Sequence, residues 1–102
     1  MIISSQRYLD DSLVAEKVAN EDYNVLLSPV FVVEGEEYQV ILDGHHSLAA
    51  AKQAAVDPVF VVADCSDSDN VGMLEAGKID DFLVACHIDD NYYDIESGQY
   101  VW

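Results

Sequence analysis

Positive charge is what this chain has least of. Its 102 residues include only 4 Lys and Arg against 20 Asp and Glu, a formal net charge of −16. A surface of that composition repels nucleic acid and anionic membrane, so neither is expected as a direct partner. Cysteine is also scarce. Cys65 and Cys86 are too few for a secreted disulfide framework, and a reduced, cytoplasmic setting is expected. No apolar run approaches the length of a membrane-spanning helix. The opening Met1-Ile2-Ile3-Ser4-Ser5 has neither the basic region nor the long apolar stretch of a secretory signal. The absence of internal repeats and low-complexity segments argues against a solenoid.

What is present is apolar. Hydrophobic residues make up 51% of the chain, enough for a core and too many for a disordered segment, even at this charge. The length predicts a single domain over residues 1–102. The acidity has two readings. It can serve solubility alone, or it can attract a basic protein partner. Crowding of 20 carboxylates on so small a surface also predicts raised carboxyl pKa values in the folded state.

Hydrophobic spacing divides the chain into short elements. After a polar lead-in, Asp11 or Ser12 is placed to cap a helix over Leu13–Ala19, with Leu13, Val14 and Val18 on its apolar side. Residues 25–43 read as a hairpin. Its strands are Val30–Val33 and Tyr38–Leu42, joined by the turn Glu34-Gly35-Glu36-Glu37. Val59–Ala63 is a further strand. A short helix is expected over Ser68–Ala76, stopped by Gly77. Ile79, Phe82, Leu83 and Cys86 fall at helical spacing and predict a helix over Ile79–Ile88. The tail, residues 92–102, reads as a hairpin turning at Ser97-Gly98. Tyr93 would then face Trp102, with Tyr93, Ile95, Tyr100 and Trp102 on one side. That side either covers the core or offers an aromatic patch to a partner.

The stretch Val40–Lys52 organises the rest. Val40-Ile41-Leu42 suits a buried strand, Asp43-Gly44 a sharp turn, and Leu48-Ala49-Ala50-Ala51 a helix with Ser47 as its expected cap. Amides at such a helix start point at the mouth of the turn and can cradle an anion. Asp43-Gly44-His45-His46-Ser47-Leu48-Ala49-Ala50-Ala51 resembles the signature of ParB-like domains in the ParB/sulfiredoxin superfamily. The likeness extends to Leu27-Ser28-Pro29-Val30 and Val59-Phe60-Val61-Val62 and covers about residues 25–64. It implies an α/β fold, a small ParB/sulfiredoxin-like domain with a mixed sheet, packed helices and, from the tail reading, a C-terminal hairpin.

The same resemblance implies that this turn contacts nucleotide phosphates. Asp43, Gly44, His45, His46, Ser47 and Lys52 are the candidate residues, with magnesium as a possible companion of the nucleotide. The family's usual phosphate-binding arginine is Ser47 here, and the sulfiredoxin cysteine would fall near His45. Three roles stay open for Asp43, His45 and His46: phosphate binding, metal binding, or structural support of the turn. No catalytic residue is identified, and an enzyme is not the leading expectation. That expectation is an acidic protein-interaction module, an inhibitor or DNA mimic engaging a basic nucleic-acid-binding partner. The alternative is a nucleotide-binding or nucleotide-hydrolysing domain.

Overall fold

The structure, a computed structural model, describes residues 1–102. Its elements run β1 (Ile2–Ser4), α1 (Asp11–Ala19), β2 (Asn24–Leu27), β3 (Phe31–Val33), β4 (Glu36–Asp43), α2 (His45–Ala54), β5 (Val59–Val62), α3 (Asp69–Glu75), α4 (Ile79–Ala85) and β6 (Tyr93–Asp94). The domain is α/β, with a mixed sheet ordered β5-β2-β4-β1-β6 and β3 also paired to β4. The β1–β4 and β2–β5 pairs are parallel. The β1–β6, β2–β4 and β3–β4 pairs are antiparallel.

β4 is the spine because it is the longest strand, eight residues, and sends buried apolar side chains to both faces. Tyr38, Val40 and Leu42 alternate onto one face and join Ile3, Phe31, Phe82 and Tyr92 in the larger core, under α3 and α4. Ile41 points the other way and meets Val25, Leu27 and Leu48 beneath α2. The short β1 obeys the same alternation: Ile3 packs in the first core, Ile2 against the second.

Several boundaries differ from the sequence expectation, each for a local reason. The lead-in contains β1, and the β2 residues form a strand of their own. The β3–β4 turn has two residues rather than four, because Glu34 and Gly35 both take left-handed φ, 52° and 82°. That is the geometry whose twist suits a two-residue hairpin, and it leaves Glu36 and Glu37 in the strand. α1 is capped by Asp10, not Asp11 or Ser12. Asp10 Oδ1 accepts hydrogen bonds from the Ser12 and Leu13 amides at 2.9 and 3.3 Å. α4 ends at Ala85, and the Tyr92 hydroxyl donates to the Leu83 carbonyl in its last turn at 2.6 Å.

The tail turns more widely than expected. The Asp94 carboxylate accepts the Glu96 amide at 3.0 Å and the Ser97 hydroxyl at 3.1 Å. Its carbonyl accepts the Gly98 amide at 2.8 Å, which builds a longer turn. Tyr93 therefore pairs with Tyr100, not Trp102. Tyr92 and Tyr93 are buried, and Trp102 meets the Tyr38 and Tyr92 rings edge-on at 5.0 and 5.7 Å. The tail thus covers the core through Tyr92 and Tyr93, while of the expected aromatic side Tyr100 and, in part, Trp102 stay exposed.

Candidate functional site

The candidate residues run from Asp43 at the end of β4 to Lys52 in the last turn of α2, with Gly44 at the junction. Gly44 adopts φ 91°, ψ 21°, a left-handed conformation that costs most residues steric strain. There is no room for a side chain either. A β-carbon at this position would lie 2.4 Å from the Asn24 carbonyl oxygen and 2.9 Å from Val25 Cα. The Gly44 amide donates to Asp43 Oδ1 at 2.7 Å, so Asp43 braces the turn from within.

Ser47 is not the cap. Gly44 is the N-cap residue, no side chain caps the helix, and Ser47 sits inside the first turn, buried, with its hydroxyl 3.4 Å from Asp22 Oδ1. A hydroxyl can cap only from an extended position before the helix, and the left-handed Gly44 starts the helix three residues earlier.

The helix then divides the six candidates between two shallow clefts. Asp43, Gly44 and Ser47 line one of about 370 Å³ with Lys17, Asp22 and Asn24. His45 and Lys52, seven positions apart on another face of α2, line a second of about 370 Å³ with Arg7, Tyr93, Glu96 and Gly98. His46 belongs to neither. Its Nε2 accepts the Asp10 amide at 3.2 Å and ties α2 to the start of α1. The six residues do not converge on one point. Lys17, Asp22 and Arg7 enter these clefts from elements far away in sequence, so no local pattern could have signalled them.

The electrostatics of the two clefts are balanced rather than cationic. Lys17 Nζ lies 2.8 Å from Asp22 Oδ2 and holds that carboxyl below the usual range. Arg7 is equally engaged. Its Nε donates to Asp90 Oδ2 at 2.9 Å, its Nη2 to the Gly98 carbonyl at 2.8 Å, and its plane sits 3.8 Å over the Tyr93 ring. Glu96 lines the same cleft as Lys52 and His45. No group of three His, Cys, Asp or Glu side chains is arranged to hold a metal ion.

Four carboxylates depart from their ordinary range, all downwards, against the expectation from crowding. Asp10 is lowered chiefly by the Ser12 hydroxyl, Asp22 by Lys17, Asp64 by the Ser66 hydroxyl and Asp90 by the Asn91 amide. At exposed sites water screens distant repulsion, while a hydrogen bond at contact is not averaged away.

His45 is lowered too, first by burial and then by His46, from an ordinary value of 6.5. Its Nδ1 is buried without a hydrogen-bond partner. The fold therefore favours the neutral ring. The stability this gives is complete above 6.5 and is lost as pH falls from there through the folded value. Urea melts at high salt, where repulsion between carboxylates is screened, should show a midpoint that declines with acidification over that window. His45→Gln should flatten the decline. A wild-type midpoint that is level or rises towards mild acid at high salt would remove His45 as its source.

Comparison with protein-family models, with curated proteins and with solved structures finds no match to this chain.

Proposed function

We propose that this chain is an acidic protein-interaction module on a ParB-like scaffold, an inhibitor or DNA mimic that engages a basic nucleic-acid-binding partner. The observation that carries the reading is the disposition of charge. None of the Asp and Glu residues is buried, and only Asp22 and Asp90 are ion-paired with a Lys or Arg. Most of the remaining carboxylates are exposed and form a field of negative charge. Such a field steers a basic partner into contact and makes the association fast and salt-sensitive. Affinity capture from a cell extract at low and high salt tests this. Basic nucleic-acid-binding proteins should be recovered at low salt and released by added salt or competing duplex DNA. Recovery of no basic protein, or capture indifferent to DNA, would overturn it.

The second reading is a nucleotide-binding or nucleotide-hydrolysing domain. It is favoured by the uncapped start of α2, whose first amides open beside Lys17 and Ser47. Asp22 and Asp43 in the same cleft count against it, since they repel phosphate. Restoring the family arginine separates the two. With Asp22 at 3.4 Å from the Ser47 hydroxyl, the guanidinium of Ser47→Arg should pair with that carboxylate, and calorimetry with CTP and ATP, with and without magnesium, should register no binding. A gain of about 1.5–3 kcal/mol, the worth of a charged hydrogen bond, would mean that a phosphate pocket survives. Binding by the wild type would favour the second reading outright.

A further inference from the structure

β5 is an apolar strand with neither face covered. Val59, Phe60, Val61 and Val62 are 52%, 43%, 47% and 57% exposed, although four such residues in a row ordinarily mark a buried strand. The strand ends the sheet and has β2 as its one neighbour. The Val59 amide donates to the Tyr23 carbonyl at 2.8 Å and the Ala63 amide to the Leu27 carbonyl at 2.7 Å. The alternation of a parallel ladder then turns the N–H and C=O groups of Phe60 and Val62 outward, away from β2.

Edges of this kind are normally blunted by a lysine, a proline or a bulge within the strand. Here Pro58 precedes the strand and nothing interrupts it. Its two ends are instead marked by the exposed carboxylates of Asp57 and Asp64. A second copy of the chain fits this edge badly. Antiparallel pairing of two β5 strands would bring the Asp57 end of one against the Asp64 end of the other, in molecules each carrying −16. A segment with cations at its ends meets the same carboxylates favourably.

We propose that β5 is a docking edge that accepts an extended apolar segment of a different chain, bracketed by Lys or Arg, as an added strand of the sheet. The outward groups of Phe60 and Val62 supply the backbone hydrogen bonds, the exposed apolar side chains supply contact area, and Asp57 and Asp64 fix the ends. The proposal rests on the reading of the chain as an acidic interaction module and names where on the surface its partner docks.

The test uses a fluorescent peptide of alternating valine and threonine between lysines, followed by anisotropy with the full chain. The wild type should bind it, more weakly as salt rises. Val62→Pro removes an outward N–H without touching the β2 ladder, and should weaken binding about tenfold or more, the worth of one or two hydrogen bonds with their geometry. An N-methylated form of the peptide should lose binding in the same way, so the result does not depend on how well the proline variant folds. Asp57→Asn with Asp64→Asn should weaken binding and flatten its salt dependence. Failure of the wild type to bind the lysine peptide would overturn the proposal. So would equal binding of the N-methylated peptide, or of one flanked by glutamates. A wild-type chain that sediments as a dimer, dissolved by Val62→Pro, would assign the edge to a second copy and overturn it as well. If Val62→Pro still captures basic proteins from extract as the wild type does, the docking edge is wrong and the acidic-module reading stands. If the wild type captures none, that reading itself fails.

Discussion

Gly44→Ala should lower the unfolding free energy by about 3 kcal/mol or more, from left-handed backbone strain added to steric overlap. The overlap is with backbone, not with a side chain that can swing aside. The added carbon would meet the Asn24 carbonyl oxygen at 2.4 Å and Val25 Cα at 2.9 Å. Relief requires β2 to move away from the start of α2, and β2 also carries β5. The loss should therefore exceed that of an ordinary glycine-to-alanine change at positive φ. Gly35 provides the internal control. It has φ 82° with nothing within 4 Å of the added carbon, so Gly35→Ala should show conformational strain alone. Urea unfolding of the two variants compares them directly. Equal losses would mean that the close approach of β2 to Gly44 contributes nothing.

Phe82→Ala should cost about 3–5 kcal/mol, the range for emptying a buried aromatic site. Phe82 is fully buried and meets the Phe31 ring edge-on at 5.7 Å. It is also the one buried residue of α4, a helix of only seven residues that has no side-chain cap. Such a helix is held by packing far more than by its own propensity. Loss of the ring should loosen α3 and α4 together, seen as faster amide exchange in both while α1 and α2 stay protected. Uniform loss of protection across all four helices would show instead that the two cores melt as one unit.

The elements with a clear period were legible in the sequence. Ile79, Phe82, Leu83 and Cys86 do line the core side of α4 and its exit, and Gly77 does end α3 with φ 76°. β4 was legible apart from Asp43 and its first two residues, the latter because Glu34 takes a left-handed conformation usually left to glycine or asparagine. β1 and β2 were not recognised because their apolar runs, Met1–Ile3 and Val25–Leu27, have three residues each, against four in Val30–Val33 and five in Val59–Ala63. In the run Asp10-Asp11-Ser12 each residue is a competent cap, and only the fold decides that Asp10 is extended at φ −89°, ψ 115°. The site was legible as a sequence-local turn and no further. Its division between two clefts follows from the pitch of α2, and the cations that line them, Arg7 and Lys17, are paired with Asp90 and Asp22. The exposure of β5 ran against its composition, since an apolar run carries no mark of which strand will end a sheet.

The place of β1 has a consequence for how the chain comes to be folded. Ile3 pairs with Val40 on one side and with Asp94 on the other, so the inner part of the sheet is joined from opposite ends of these 102 residues. Contacts so distant in sequence form late, because loop closure must come before any gain from pairing. During synthesis β1 emerges first and must wait, one edge bare, until residues 93–94 have left the ribosome. α3 and α4, adjacent in the chain, can dock earlier, whereas α1 meets α2 only after β2, β3 and β4 have been made between them. The sheet is therefore sealed only once β6 has been made, and until then the bare edge of β1 leaves this apolar, acidic chain most open to capture by other proteins.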